Sequence, residues 1–187
     1  MMGAGEERVR MARHVLLTGA PGCGKTTVVR SVASALVDSG APVRGFWTEE
    51  TRERGRRTGF RIQTLSGKDG MLARVGLRSP YEVGRYGVDL AALDSVAVAE
   101  IEEALAAPNR ARLIVIIDEI GRMELFSTRF RRAVERAFDQ AGHVVATIML
   151  RPHPFADALR RRPDVAVVTI TPQNRDGLPA EILRSLR

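Results

Sequence analysis

Short apolar runs alternate along the chain with segments in which apolar residues recur every three or four positions. The apolar runs predict strands at 14–18, 113–117, 144–149 and 165–170. The recurring apolar positions predict helices at 25 to about 37, 90–105, 128–138 and 178–186. Strands that alternate with helices are typical of a three-layer α/β domain, in which a mostly parallel central sheet carries helices on both faces.

A segment after the first helix interrupts this alternation. Two apolar stretches, 43–48 and 59–65, flank a charged turn that contains glycine, and this pattern is typical of a β-hairpin. Between 66 and 89, glycines and arginines are scattered without a period, so we expect loops and short strands there. We therefore predict one domain over 13–187 with a β-hairpin insert, preceded by a flexible tail over 1–12.

Composition narrows the class of protein. A chain of 187 residues, 44% of them hydrophobic, is long enough to bury a core as one domain. The single cysteine, Cys23, cannot form a disulfide within the chain, which indicates a reducing compartment, and we expect the cytoplasm. The apolar runs are much shorter than the roughly 20 residues that span a bilayer, so we expect no contact with a membrane.

The net charge of +7 comes from 29 basic and 22 acidic residues, and only Lys25 and Lys68 are lysine. Codons from a GC-rich genome are the simplest explanation of this excess of arginine, so the charge is weak support for nucleic-acid binding. Arginine pairs well with phosphate oxygens, and an acidic ligand such as a nucleotide is compatible with this charge.

The segment 19–26, GAPGCGKT, fits the phosphate-loop pattern G-x-x-x-x-G-K-[ST] and lies between a predicted strand and a predicted helix. Glycines allow the backbone N–H groups to surround phosphates, Lys25 reaches the β- and γ-phosphate oxygens, and Thr26 is a candidate Mg²⁺ ligand. An ordinary glycine-rich turn is a poor alternative. Only 2 of the 29 basic residues are lysine, so a lysine at this position of the motif indicates a chemical requirement. The predicted triphosphate-binding residues are Gly19, Ala20, Pro21, Gly22, Cys23, Gly24, Lys25, Thr26 and Thr27.

The apolar run at 113–117 ends in Asp118 and Glu119, the arrangement of a Walker B strand. Parallel strands deliver such carboxylates to the edge of the sheet where ligands bind. Asp118 is then a metal ligand together with Thr26, and Glu119 is a base that polarises the attacking water. For an isolated strand, two polar residues that open a loop would be the simpler interpretation. The phosphate loop upstream favours the catalytic one, with Lys25, Asp118 and Glu119 as catalytic residues.

The segment 118–125, DEIGRMEL, resembles the DEIGxMEL signature of the cancer-related nucleoside-triphosphatase family, small P-loop enzymes first described from thermophiles. Further blocks that resemble the family lie at 45–50 (GFWTEE), 56–60 (RRTGF), 83–86 (VGRY) and 174–179 (NRDGLP). The resemblance extends over almost the whole predicted domain. It implies a RecA-like fold, Mg²⁺ as cofactor, and hydrolysis of ATP, GTP and other nucleoside triphosphates to the diphosphate and phosphate.

Several further residues are weaker candidates. Arg85, Arg122 and Arg151 are candidate cations for the γ-phosphate, although most arginines in such a chain are solvated surface groups. Thr147 is a candidate γ-phosphate sensor if its strand lies between the strands that precede Lys25 and end in Asp118. It is otherwise an ordinary strand threonine. Glu124 is a second carboxylate to test beside Glu119.

Residues after the last predicted strand are candidates for contact with the base. Asn174, Arg175 and Asp176 follow that strand at the ligand edge of the sheet, and Asn174 and Asp176 are equally suited to cap the final helix. Glu50 lies after the strand that follows the first helix, where a related kinase would bind its phosphoryl acceptor.

Two other functions stay open at this point. A nucleotide or nucleoside kinase would use a similar P-loop core, and a nucleotide-gated module would use hydrolysis to time the release of an RNA or protein partner. The pair Asp118-Glu119 favours a hydrolase, because Glu119 is placed to activate water. Nucleic acid is not a favoured partner, since no aromatic residues accompany the basic helix at 129–136. The sequence does not define the oligomeric state, and a monomer is our expectation.

Overall fold

The computed structural model describes residues 12–186. The tail predicted over 1–12 therefore lies, apart from Ala12, outside the described residues. Within them the chain forms one nine-stranded sheet in the order β5-β6-β4-β3-β2-β7-β8-β1-β9. The strands are β1 (His14–Thr18), β2 (Val43–Glu53), β3 (Arg56–Thr64), β4 (Asp69–Val75), β5 (Glu82–Val83), β6 (Tyr86–Val88), β7 (Ile114–Ile120), β8 (His143–Ile148) and β9 (Val165–Thr169).

Five strands, in the order β2-β7-β8-β1-β9, are parallel, and they confirm the mostly parallel sheet that the apolar runs predict. β1 lies between β8 and β9, and all five of its residues are buried. β8 lies between β1 and β7, which is the order expected of a RecA-like sheet. The strand that precedes the phosphate loop and the strand that contains Asp118 are therefore separated by one strand.

Helices cover both faces of the sheet, as expected. They are α1 (Lys25–Asp38), α2 (Leu90–Leu93), α3 (Ala99–Ala106), α4 (Thr128–Gln140), α5 (Pro154–Arg160) and α6 (Leu178–Ser185), and a π-helical turn at Asp94–Val98 joins α2 to α3. α1 and α6 bury their apolar residues in one core, whereas α3, α4 and α5 bury theirs in the core on the opposite face. Within residues 12–186, no helix combines the length and the apolar character needed to cross a membrane.

The predicted hairpin insert is present, but it is longer than its apolar pattern indicates. β2 and β3 continue through the charged residues to a turn of two residues, Arg54 and Gly55, both with positive φ. The outer part of the hairpin is exposed on both faces, so charged side chains can pair across it and no apolar alternation is needed. The region 66–89 also forms strands, β4 to β6, which extend the hairpin into a four-stranded antiparallel extension made of β3, β4, β6 and β5.

His14, the first residue of β1, has a fully buried side chain. Its Nδ1 accepts a hydrogen bond from the backbone N–H of Val144 at 3.0 Å, and its ring packs edge-on against Phe138. Burial lowers the pKa of His14 to about 4, although the carboxylate of Asp164 opposes this shift. The folded protein therefore holds the imidazole uncharged at neutral pH.

We expect His14 to reduce the free energy of unfolding as the pH falls from 6.5 to 4. In this window the unfolded chain binds a proton at His14 that the folded protein does not, and the difference between the two pKa values is worth about 3 kcal/mol. Urea unfolding of the wild type and of His14→Asn at several pH values measures this effect. The variant keeps an acceptor for the Val144 N–H but does not titrate. The difference in free energy of unfolding between the wild type and the variant should therefore become smaller toward pH 4. A constant gap would contradict the assignment.

Candidate active site

The phosphate loop connects β1 to α1, and its shape requires glycine at two positions. Gly19 has φ 155°, and a Cβ there would lie 2.7 Å from Cys23 Sγ and 3.0 Å from the carbonyl oxygen of Ile170. Gly24 is the N-cap of α1 and has φ 104°, in the left-handed region. A side chain at either residue would distort the loop, so the local fold explains why the motif has glycine at these positions.

Lys25 is the first residue of α1, and its ammonium group folds back over the loop. Nζ donates hydrogen bonds to the carbonyl oxygens of Gly19 at 3.1 Å and Ala20 at 3.3 Å. The first turn of this 14-residue helix contains no acidic residue, and no described side chain caps its N terminus. The loop, the helix N terminus and Lys25 together form a positive concavity suited to phosphate.

Asp118 lies within β7 and is 1% exposed. Its Oδ1 accepts a hydrogen bond of 2.6 Å from the hydroxyl of Thr147 on β8, whereas its buried Oδ2 has no hydrogen-bond partner among the described residues. Burial raises the pKa of the Asp118 carboxyl, and the hydroxyls of Thr147 and Thr26 and the charge of Lys25 oppose that rise. The structure thus brings Thr147 into contact with Asp118. The strand that contains Thr147, β8, lies between β1 and β7, which was the condition for its candidate role.

Two glutamates flank Gly121 beyond Asp118. A Cβ on Gly121 would lie 3.0 Å from Glu124 Oε2 and 3.4 Å from Glu119 Cδ, so the two carboxyl groups are close to each other. Glu119 is half-buried; burial raises its pKa and the charge of Lys25 lowers it. Glu124 is buried, and its pKa rises to about 8 through burial first and then through the charge of Glu119. Glu124 is therefore mostly protonated at neutral pH.

Two of the weaker candidates, Glu50 and Arg85, lie in one cluster of charged side chains on the antiparallel strands. Glu50 forms ion pairs with Arg52 and Arg57 on the hairpin, and hydrogen bonding by Arg57 lowers its pKa. Arg85 donates to the carbonyl oxygen of Arg57 at 2.7 Å, in the same cluster. Arg151 follows β8 and is exposed. Glu50 and Arg85 are therefore paired within the antiparallel strands and not with the phosphate loop.

A cleft of about 480 Å³ opens beside the phosphate loop, between α1 and the segment after β9. It is lined by Gly24, Thr27, Val28, Ser31, Arg175, Asp176 and Pro179. Arg175 and Asp176, the candidates for contact with the base, thus line a cleft next to the phosphate loop. The prediction missed Val28, Ser31 and Pro179, because helical spacing assigns no function to them.

Asn174 has a different place from its two neighbours. Its Oδ1 accepts from the backbone N–H of Thr171 at 2.8 Å, and its Nδ2 donates to the carbonyl oxygen of Thr169 at 2.9 Å. It stabilises the turn after β9 and does not line the cleft. The alternative that Asn174 or Asp176 caps the final helix is wrong, because the N-cap of α6 is Gly177.

A second cavity, of about 190 Å³, lies between the loop after Glu119 and the antiparallel strands. It is lined by Thr48, Phe60, Leu72, Val83, Glu119, Gly121, Arg122, Met123 and Glu124. The sequence prediction includes the two glutamates and Arg122 but misses the four residues from β2 to β5. Thr48, Phe60 and Val83 do lie in the blocks GFWTEE, RRTGF and VGRY that carry the family resemblance, and this was the available signal.

Comparison with known proteins agrees with this geometry. A family model described as NTPase matches residues 14–183. Nucleoside-triphosphatase THEP1 of Thermotoga petrophila is 44% identical over 173 residues, which cover 92% of this chain and 92% of that protein. The cancer-related nucleoside-triphosphatase of Homo sapiens is 42% identical over 182 residues, which cover 92% of this chain and 96% of that protein.

Solved structures give the same result. THEP1 from the hyperthermophile Aquifex aeolicus superposes with a TM-score of 0.82 at 39% identity, over 93% of this chain and 99% of that chain. A human cancer-related nucleoside triphosphatase superposes with a TM-score of 0.80 at 41% identity, over 94% and 98%. The expected P-loop NTPase fold is confirmed. Because the family model and these relatives span nearly the whole domain, the chain belongs to the NTPase family of THEP1 and the cancer-related nucleoside-triphosphatases.

Proposed function

We propose that the protein is a Mg²⁺-dependent nucleoside-triphosphatase that hydrolyses ATP, GTP and other nucleoside triphosphates to the diphosphate and phosphate. One observation carries the proposal: the Lys25 ammonium lies over the phosphate loop, and the buried Asp118 carboxyl, held by Thr147, keeps one oxygen without a hydrogen-bond partner among the described residues. The charge of Lys25 also opposes the rise that burial causes in the pKa of Asp118 and of Glu119. A phosphate-binding cation and two acidic groups thus share one edge of the sheet, next to a cleft wide enough for a nucleoside.

The phosphate loop, residues 19–27, is the binding site for the triphosphate in this proposal. The nucleoside lies in the 480 Å³ cleft, where Arg175 and Asp176 border the base. Asn174 acts on this contact indirectly, because its hydrogen bonds fix the turn that contains both residues.

The residues present fit a magnesium ion. The buried Oδ2 of Asp118 lacks a hydrogen-bond partner among the described residues. The Thr26 hydroxyl opposes the rise that burial causes in the pKa of Asp118. Across the described part of the chain, no group of three or more His, Cys, Asp or Glu side chains is placed to hold a metal. Mg²⁺ commonly binds through one or two carboxylates plus substrate phosphates, so Thr26 and Asp118 suffice. When bound, it neutralises charge on the phosphate oxygens.

Glu119 is the proposed base. A water molecule attacks the γ-phosphorus and gives its proton to the Glu119 carboxylate, while the bond between the γ-phosphorus and the bridging oxygen breaks. The nucleoside diphosphate leaves with the electron pair of that bond. Lys25 stabilises the charge that develops on the phosphate oxygens, and Thr147 keeps Asp118 oriented through its hydrogen bond.

Phosphate release tests this function directly. Purified protein is incubated with ATP or GTP and Mg²⁺ without any acceptor, and inorganic phosphate and nucleoside diphosphate are measured together. We expect the two products in equal amounts from both substrates, and no activity after removal of the divalent ion with EDTA. Diphosphate that appears only when a nucleoside or nucleoside monophosphate is added would instead identify a kinase.

A further inference from the structure

The 190 Å³ cavity next to Glu119 has a wall built by β2 and the antiparallel extension. Four strands that follow one another in sequence each contribute one lining residue: Thr48 from β2, Phe60 from β3, Leu72 from β4 and Val83 from β5. The opposite wall is the loop from Glu119 to Glu124. Glu119, the proposed base, therefore borders a cavity that the antiparallel strands help to form.

The two sets of lining residues differ in chemistry. The strands contribute the apolar side chains of Phe60, Leu72 and Val83, and Leu72 is 1% exposed. The loop contributes the carboxyl groups of Glu119 and Glu124. An apolar cavity of about 150 Å³ accepts a benzene ring, so this one has room for one ring with a short substituent.

We propose that the cavity is a subsite for a small uncharged alcohol, with an apolar body of about one six-membered ring, that accepts the γ-phosphate in place of water. This inference rests on the proposed function, because it uses the same phosphate loop and the same base. The apolar body lies between Phe60, Leu72 and Val83, and the hydroxyl group lies beside Glu119.

The reaction balances without a further reactant. The alcohol oxygen forms a bond to the γ-phosphorus, and its proton passes to the Glu119 carboxylate. The bond between the γ-phosphorus and the bridging oxygen breaks, and the nucleoside diphosphate leaves with its electron pair. The products are a phosphate monoester of the alcohol and the diphosphate.

The charges around the cavity favour an uncharged ligand. Glu119 lies in the wall, and Asp118 is its neighbour in sequence, so an anion would meet like charge there. Glu124 is mostly protonated at neutral pH because its pKa is about 8, and its hydroxyl can donate a hydrogen bond to the ligand. Arg122 also lines the cavity, but it is exposed, so water screens its charge.

The test measures how labelled γ-phosphate divides between inorganic phosphate and a phosphate ester. The protein is incubated with γ-labelled ATP, Mg²⁺ and one of three alcohols at equal concentration: ethanol, benzyl alcohol or the anionic 4-(hydroxymethyl)benzoate. We expect benzyl alcohol to give the largest share of ester. Equal shares from ethanol and benzyl alcohol, or a larger share from the anionic compound, would overturn the proposed ligand class.

Variants locate the alcohol in the cavity. Val83→Phe fills it, and the benzyl ester share should fall by about tenfold or more, the usual effect of one steric misfit in an apolar pocket. Val83→Ala widens it and should admit 2-naphthalenemethanol, so the proposal remains testable if the larger side chain prevents folding. Val75→Phe is the matched control, because Val75 is 45% exposed on the same extension and does not line the cavity.

The outcomes separate the two proposals. Phosphate release without any ester would refute the acceptor subsite and leave the proposed hydrolysis intact. An ester share that neither Val83 variant changes would place the alcohol outside the cavity and also refute the inference. Absence of both products from ATP and GTP would refute the proposed function itself.

Discussion

Lys25→Ala will lose nearly all nucleoside-triphosphate hydrolysis. The ammonium group lies over the phosphate loop, within hydrogen-bond distance of the Gly19 and Ala20 carbonyl oxygens. Removal of one group that stabilises charge in a transition state commonly lowers kcat by about 10²–10³-fold, and triphosphate binding should weaken as well. Phosphate release and equilibrium nucleotide binding measure the two effects.

Lys68→Ala is the matched control for this variant. Lys68 is the only other lysine in the chain, and its Nζ forms an ion pair with Glu103 Oε1 at 2.6 Å, away from the phosphate loop. An exposed ion pair contributes little to stability, so this variant should keep wild-type activity. If Lys25→Ala also stayed within a few-fold of the wild type, the loop would not be the site of hydrolysis.

Glu119→Gln should lower kcat by about 10²-fold or more, while nucleotide affinity stays near that of the wild type. Glutamine keeps the size of the side chain and a hydrogen-bonding carbonyl group, but it lacks the negative charge that draws a proton from water. Single-turnover phosphate release measures the chemical step, and equilibrium binding measures the affinity. Glu135→Gln, a change at an exposed residue of α4, is the control and should behave as the wild type.

An unchanged single-turnover rate in Glu119→Gln would remove Glu119 from the mechanism. Glu124 would then be the carboxylate to replace next, because it lies beside Glu119 across Gly121. A kinase whose base lies on the acceptor side would also tolerate Glu119→Gln, with phosphoryl transfer to the acceptor largely intact. The same variant therefore separates a water-activating glutamate from the two alternatives.

The residues of the phosphate loop and the pair Asp118-Glu119 could be predicted because each follows a buried strand within a short, recognisable pattern. The role of Thr147 could be predicted only on the condition that its strand lies between β1 and β7. Its contact with Asp118 depends on that order of strands, which are far apart in sequence. The hydrogen bond confirms that order. It does not test the suggested role of Thr147 as a sensor of the γ-phosphate.

The cavity wall could not be predicted from periodicity. Phe60 and Leu72 lie on strands whose outer residues are charged and exposed, so no regular alternation marks which face is buried. Val83 belongs to a strand of two residues, too short to carry a pattern. α5 was missed for a similar reason: it has seven residues and begins at Pro154, and a proline among arginines is also typical of a loop.

The position of β1 has a consequence for synthesis of the protein. Both neighbours of β1 come from the last part of the chain: β8 ends at Ile148 and β9 ends at Thr169. The ribosome therefore completes the phosphate loop long before either strand that pairs with β1 exists. Contacts so distant in sequence delay folding, and the apolar residues of β1 remain unpaired until β8 and β9 emerge. A nascent chain that stops before β8 contains every residue of the phosphate loop without the sheet that holds it in shape.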